Sequence, residues 1–143
     1  MKIRKLLTII GLGLLPEISY GEVAINDRWA PTDAVAEIDA RCAGLYLALE
    51  KLSMIGKTGN AESYRESATF FTGFAIKSTM TNDHLPQGKA EELMVPIIKR
   101  SLKIYWELLM RVSESQEDVD PMLESDIHFC LDRGEAYANG QLP

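Results

Sequence analysis

The two cysteines and two histidines, Cys42, Cys130, His84 and His128, are the side chains whose types suit thiol redox chemistry or imidazole and thiolate metal binding. The two cysteines stand too far apart for a CxxC redox motif or for zinc-ligand spacing. In an oxidising compartment two thiols on one small domain pair more readily as a disulfide than as a catalytic couple, so a Cys42–Cys130 bridge is expected. The alternative is two buried free thiols packed as small apolar groups. Neither histidine has an HxxxH or ExxH companion that would aim two ligands from one helix face, so no metal site is expected. His128 would help hold a metal only with Cys130 reduced; otherwise it is a surface or boundary histidine, or a switch. No CxxCH is present for covalent haem. A noncovalent haem would need His128 with Met54 or Met94, methionines that core packing explains as well. No cofactor is expected.

The remaining motifs are incomplete. Gly56-Lys57-Thr58 matches the end of a phosphate-binding loop, but Lys51 occupies the place of the first glycine and a helical pattern replaces the preceding strand. The acidic stretch Glu114 to Asp126 has Asp118 and Asp120 at calcium-loop spacing. Pro121 then follows, and no glycine occupies the turn position. No serine lies in a GxSxG elbow. Carboxylate pairs are too common in an acidic helical chain to mark a catalytic dyad, so no catalytic residue is assigned. Phe70, Phe71 and Phe74, with Tyr105 and Trp106, supply more aromatic surface than one narrow helical seam needs. They fill the core, or some of them form a patch for a partner chain or an apolar ligand.

The ends and totals place these residues in a compartment. Lys2, Arg4 and Lys5 precede a charge-free apolar run from Leu6 to Leu15, Pro16 breaks any helix, and Ser19 and Gly21 are small. That is the layout of a secretory signal peptide over residues 1–21, cut before Glu22, and the run is too short to cross a bilayer. Residues 22–143 then form one domain of 122 residues. Loss of Lys2, Arg4, Lys5 and Glu17 takes the basic residues from 15 to 12 and the acidic from 21 to 20. The net charge moves from −6 to −8. That balance repels nucleic acid and anionic membrane surfaces, and no stable membrane anchor is expected after cleavage. The expected location is the periplasm or outside the cell.

Helical periods of three to four dominate the rest. Thr32 or Asp33 caps a first helix in which Val35, Ile38, Cys42, Leu45, Leu49 and Leu52 form one stripe, ended by Gly56. Asn60 is placed to cap a second helix from Ala61 to about Thr79, with Gly73 inside it marking a close neighbour or a weak point. A third helix runs from about Lys89 to Ser113 on the stripe Met94, Ile98, Leu102, Tyr105, Leu109 and Val112; Pro96 either kinks it or begins it. Asp120 and Pro121 open a fourth, faced by Leu123, Ile127 and Cys130 and stopping near Gly134. The tail Glu135 to Pro143 has little to bury and is expected to fray. Nothing reads as a strand. The expected fold is all-α, an antiparallel four-helix bundle stapled by the disulfide.

These observations point to a non-enzymatic interaction module with a protein partner, a second copy of the chain included. A bundle binding a small ligand, a metal or noncovalent haem is the second reading, and a hydrolase the third.

Overall fold

A computed structural model of the chain describes residues 35–115 and 118–142. The leader, the lead-in with Trp29 and the Thr32 or Asp33 cap lie outside the described residues. Four helices account for the fold: α1 (Val35–Gly56), α2 (Ala61–Asn82), α3 (Gln87–Ser115) and α4 (Pro121–Ala138). No strand occurs among the described residues, and the helices pack as a bundle.

α1 is the central element. The single-stripe expectation understated its burial: every residue from Ile38 to Tyr46 is buried. Such a helix has neighbours on all sides and needs small residues to let them approach, and Ala40, Ala43, Gly44 and Ala48 supply them. Gly44 sets the closest approach. A Cβ placed there would lie 2.5 Å from Ser101 Cβ, 2.7 Å from the Leu102 nitrogen and 2.8 Å from the Ile98 carbonyl oxygen. The α1–α3 crossing therefore depends on the absence of one methyl group. Gly73 has open space where its Cβ would be, so of its two readings, a close neighbour or a weak point, the close neighbour does not hold.

The helix ends follow local chemistry. The chain leaves α1 through Lys57 in the left-handed region (φ 52°), then Gly59 (φ 81°). The Thr58 N–H bonds the Ser53 carbonyl at 3.2 Å, and the two side-chain hydroxyls bond each other. Gly56-Lys57-Thr58 thus ends a helix. The Asn60 side chain makes no capping bond; its backbone is already αR, and its carbonyl accepts from Tyr64 N–H at 3.1 Å. Asp120 does cap α4, its carboxylate accepting from the Met122 and Leu123 N–H groups, with Pro121 at the first helical position.

Two boundaries depart from expectation. α3 runs unbroken through Pro96 from Gln87, so it does not begin at the proline. Val95 and Pro96 are exposed, so the helix bond that the proline lacks is lost on the solvent side. α4 passes Gly134 and ends at Ala138, because the residues after the glycine have something to bury: Tyr137 is in the core and Leu142 packs against it. Glu135 to Ala138 are therefore helical rather than frayed.

The Cys42–Cys130 disulfide is present, with a Cα–Cα distance of 5.6 Å and both cysteines fully buried. It joins the middle of α1 to the middle of α4 across 88 residues. In the chain-entropy treatment, a loop of that length is worth about 4–5 kcal/mol.

Candidate functional site

The side chains with the most chemical capacity line the α1–α4 contact. On α4, Asp126, Cys130, Arg133 and Tyr137 recur at intervals of four, three and four, which places them on one helical face, and all four are buried. On α1 they meet Asp39, Arg41 and Cys42, also buried. Asp39 pairs with Arg133 and Cys42 with Cys130, so the register is antiparallel.

Two charged triads flank the disulfide. In the first, Arg133 Nε donates to Asp39 Oδ1 at 2.6 Å and the Tyr137 hydroxyl donates to Asp39 Oδ2 at 2.6 Å. The Arg133 terminal nitrogen donates to the Tyr137 oxygen at 3.0 Å. In the second, Arg41 donates through a terminal nitrogen to Asp126 Oδ2 at 2.7 Å and through Nε to the Tyr105 hydroxyl, which itself donates to Asp126. Each carboxylate is thus bonded by an arginine and a tyrosine from other turns or helices.

Burial dominates the protonation equilibria here. It pushes the Asp39 carboxyl above the ordinary carboxylate value, with the Arg133 and Tyr137 hydrogen bonds acting against that rise. In Arg133 burial lowers the affinity for its proton, but the hydrogen bond and charge of Asp39 outweigh it and the net direction is upward. Within each partner two effects oppose, since each loses water and gains the other; desolvation prevails in Asp39 and the ion pair prevails in Arg133. Both tyrosine hydroxyls are raised: Tyr105 and Tyr137 are first desolvated, and neighbouring aspartates further oppose ionisation. They serve as neutral hydrogen-bond donors.

The buried polar atoms of the triads are all partnered. Among the described residues no buried side-chain nitrogen or oxygen lacks a hydrogen-bond partner. Groups of three or more His, Cys, Asp or Glu side chains able to hold a metal are also absent among the described residues. His84 is exposed in the α2–α3 link with φ 53°, and His128 is exposed on α4. An open depression of about 500 Å³ lies beside His128, lined by Asp118, Val119, Glu124 and Ile127.

The aromatic residues fall into different places. Phe71 and Tyr105 are buried, Phe74 and Trp106 partly buried, and Phe70 is 40% exposed. Phe70, Phe71 and Phe74 gather around Tyr137 of α4, with Phe74 the nearest at 4.1 Å between ring centroids and Phe70 at 5.7 Å. Tyr105 belongs to the Arg41–Asp126 triad instead. Trp106 lies under Lys51, whose ammonium is 4.1 Å from the ring centroid. The helices therefore bring together three of the five aromatic residues and add Tyr137. No helix among the described residues is long and apolar enough to cross a membrane.

Sequence reasoning took Tyr105 only as a stripe and patch aromatic and Asp126 only as the end of an acidic stretch, and it overlooked Asp39, Arg41, Arg133 and Tyr137. One signal was available. If Cys130 is bridged, its face of α4 is buried, and Asp126, Arg133 and Tyr137 share that face by spacing. Buried charges require partners, which points to charges of opposite sign beside Cys42, where Asp39 and Arg41 stand. Ile127, expected on the inner face, is only partly buried because the true face is rotated toward Asp126.

These features define a disulfide-stapled, all-helical protein whose interior charges hold one helix in register. No family model, no curated protein and no solved structure matches the chain.

Proposed function

We propose that the chain is an exported helical protein that acts by contact with another protein rather than by catalysis. The observation that carries this reading is that no buried side-chain nitrogen or oxygen among the described residues lacks a hydrogen-bond partner. The four buried charged side chains, Asp39, Arg41, Asp126 and Arg133, are paired with one another, which suits a rigid scaffold and leaves the outer surface to carry the function. Exposed apolar side chains are available there, including Met54 at 59% and Ile55 at 64% on the last turn of α1. Export is supported by the basic and apolar layout of residues 1–21 and by the disulfide, a bond that persists in oxidising compartments.

Native mass spectrometry of the protein isolated from its own cell envelope tests both parts. The expected species begins at Glu22, lacks the two cysteine hydrogens, and is recovered with a second polypeptide, of its own or another kind, and no prosthetic group. A chain retaining residues 1–21 would overturn export. Stoichiometric haem, metal or lipid would overturn the contact reading in favour of a ligand-binding bundle.

A further inference from the structure

The two most exposed large apolar side chains of the described residues, Met54 and Ile55, adjoin each other on the last turn of α1. Their surroundings are basic. Lys51 and Lys57 flank them, both exposed, and no acidic residue occurs from Lys51 to Ala61 in a chain whose net charge is −6. The open depression beside His128 has the opposite character. Asp118 and Glu124 rim it, Val119 and Ile127 supply its apolar lining, and no lysine or arginine occurs from Val112 to Asp132. One chain thus carries an apolar projection with positive flanks and an apolar recess with negative flanks.

The two features suit each other in size and in place. An enclosed cavity of about 150 Å³ holds a benzene ring, so a depression of about 500 Å³ has room for both side chains. It is too open to surround most of a small ligand, as ligand sites do. Met54 and Ile55 do not line the depression of their own chain and stay exposed. α1 and α4 run antiparallel, joined at Cys42–Cys130 and Asp39–Arg133, so the last turn of α1 and the first turns of α4 lie at the same end of the bundle. Projection and recess therefore share one end, where a second copy is able to meet both.

We infer that this end of the bundle is the interface of a homodimer, with Met54 and Ile55 of each copy seated in the depression beside His128 of the other. Lys51, which shares a helix face with both apolar residues, then faces the acidic rim at Glu124. A two-fold axis relates the copies, so each contributes a projection and a recess, and assembly closes at two chains. Burial of the apolar pair supplies the attraction, and the charges select which surfaces meet, because exposed ion pairs add little affinity themselves. Methionine suits such a site, being flexible enough to fit an irregular recess. The contact is small, which places it in the weak class of interfaces that form and part readily. The inference rests on the contact reading of the outer surface given above and specifies the partner as a second copy.

Sedimentation velocity of the purified, oxidised protein over a range of concentrations tests it. The expected parent is a reversible mixture of monomer and dimer. Ile55→Asp should raise the Kd of the dimer about ten-fold or more, with far-ultraviolet circular dichroism unchanged. Lys51→Glu and Glu124→Lys should each weaken the dimer several-fold at low ionic strength. They change the net charge in opposite directions, so a loss in both cannot come from repulsion between whole chains. The two changes in one chain restore the net charge and exchange the partners, and affinity should return to that of the parent. A parent that stays monomeric up to about 0.1 mM would overturn the inference, as would a dimer that Ile55→Asp leaves intact. Single losses that add in the double variant would overturn it equally. A monomeric parent that comes from the cell envelope with a different polypeptide would overturn the homodimer alone and leave the contact reading standing.

Discussion

Replacing Arg133 by methionine removes one charge from the first triad and keeps much of the side chain's length. The side chains of Arg133 and Asp39 are 8% and 0% exposed, so water cannot replace the missing guanidinium. Asp39 would lose the 2.6 Å bond at Oδ1 and retain the Tyr137 bond at Oδ2. Leaving one member of a buried pair without its counter-charge costs about 3–5 kcal/mol, a large part of the 5–15 kcal/mol that typically holds a domain folded. The double replacement Asp39→Leu with Arg133→Met removes both charges, and its desolvation penalty disappears with them. It should therefore cost much less than the sum of the single changes, with a coupling of about 2–3 kcal/mol. The assay is urea denaturation of the parent, both single variants and the double variant, all with the disulfide intact. Additive costs across the cycle would refute the reasoning, because they would mean that the two charges do not sense each other in the folded state. The Tyr137 hydroxyl loses an acceptor in the double variant, which keeps the cycle from closing at zero.

Gly44→Ala should lower the urea midpoint by the equivalent of about 1–3 kcal/mol, because the new methyl meets the α3 backbone at Ile98 and Leu102 as well as Ser101. Gly73→Ala, which has open space, should be neutral or stabilising under the same assay, and equal effects at the two sites would sink the packing account. Acid should favour the parent over Asp39→Asn. The Asp39 carboxyl is raised in the folded chain by burial, so its contribution to stability is fully present below the ordinary value of 3.8 and is lost as pH rises through the raised folded value. The stability difference, parent minus Asp39→Asn, should accordingly fall with rising pH across that window. A difference that grows with pH would show that the Arg133 and Tyr137 bonds outweigh desolvation.

Much of the architecture is already present in one-dimensional patterns. The stripe from Met94 to Leu109 on α3, the Asp120-Pro121 start of α4 and the Gly56 turn each express a local rule, either period or capping, that operates without a distant partner. The cysteine pairing follows from there being two cysteines to pair. Where the local rule competed with packing, packing decided. Asn60 has a capping side chain but makes no capping bond, and Gly134 should end a helix but is passed over because Tyr137 gains burial and a hydrogen bond one turn later. Of the two glycines inside helices α1 and α2, Gly73 drew notice by interrupting an aromatic run; Gly44, which matters for packing, sits among alanines and leaves no such mark.

The sequence by itself determined the four helices of the described residues, which apolar residues would lie in the core, and that a bridge between α1 and α4 was available. These depend on hydrophobic period, capping chemistry and composition, all of which are local. Only the tertiary structure decided that α1 is buried on all sides, that Gly44 is the point of closest helix approach, and that Asp39, Arg41, Asp126 and Arg133 are interior. A charged residue reads as solvated until a partner more than 80 positions away is placed within 3 Å of it. The sequence contains both members of each pair, but the distance between them is a property of the fold.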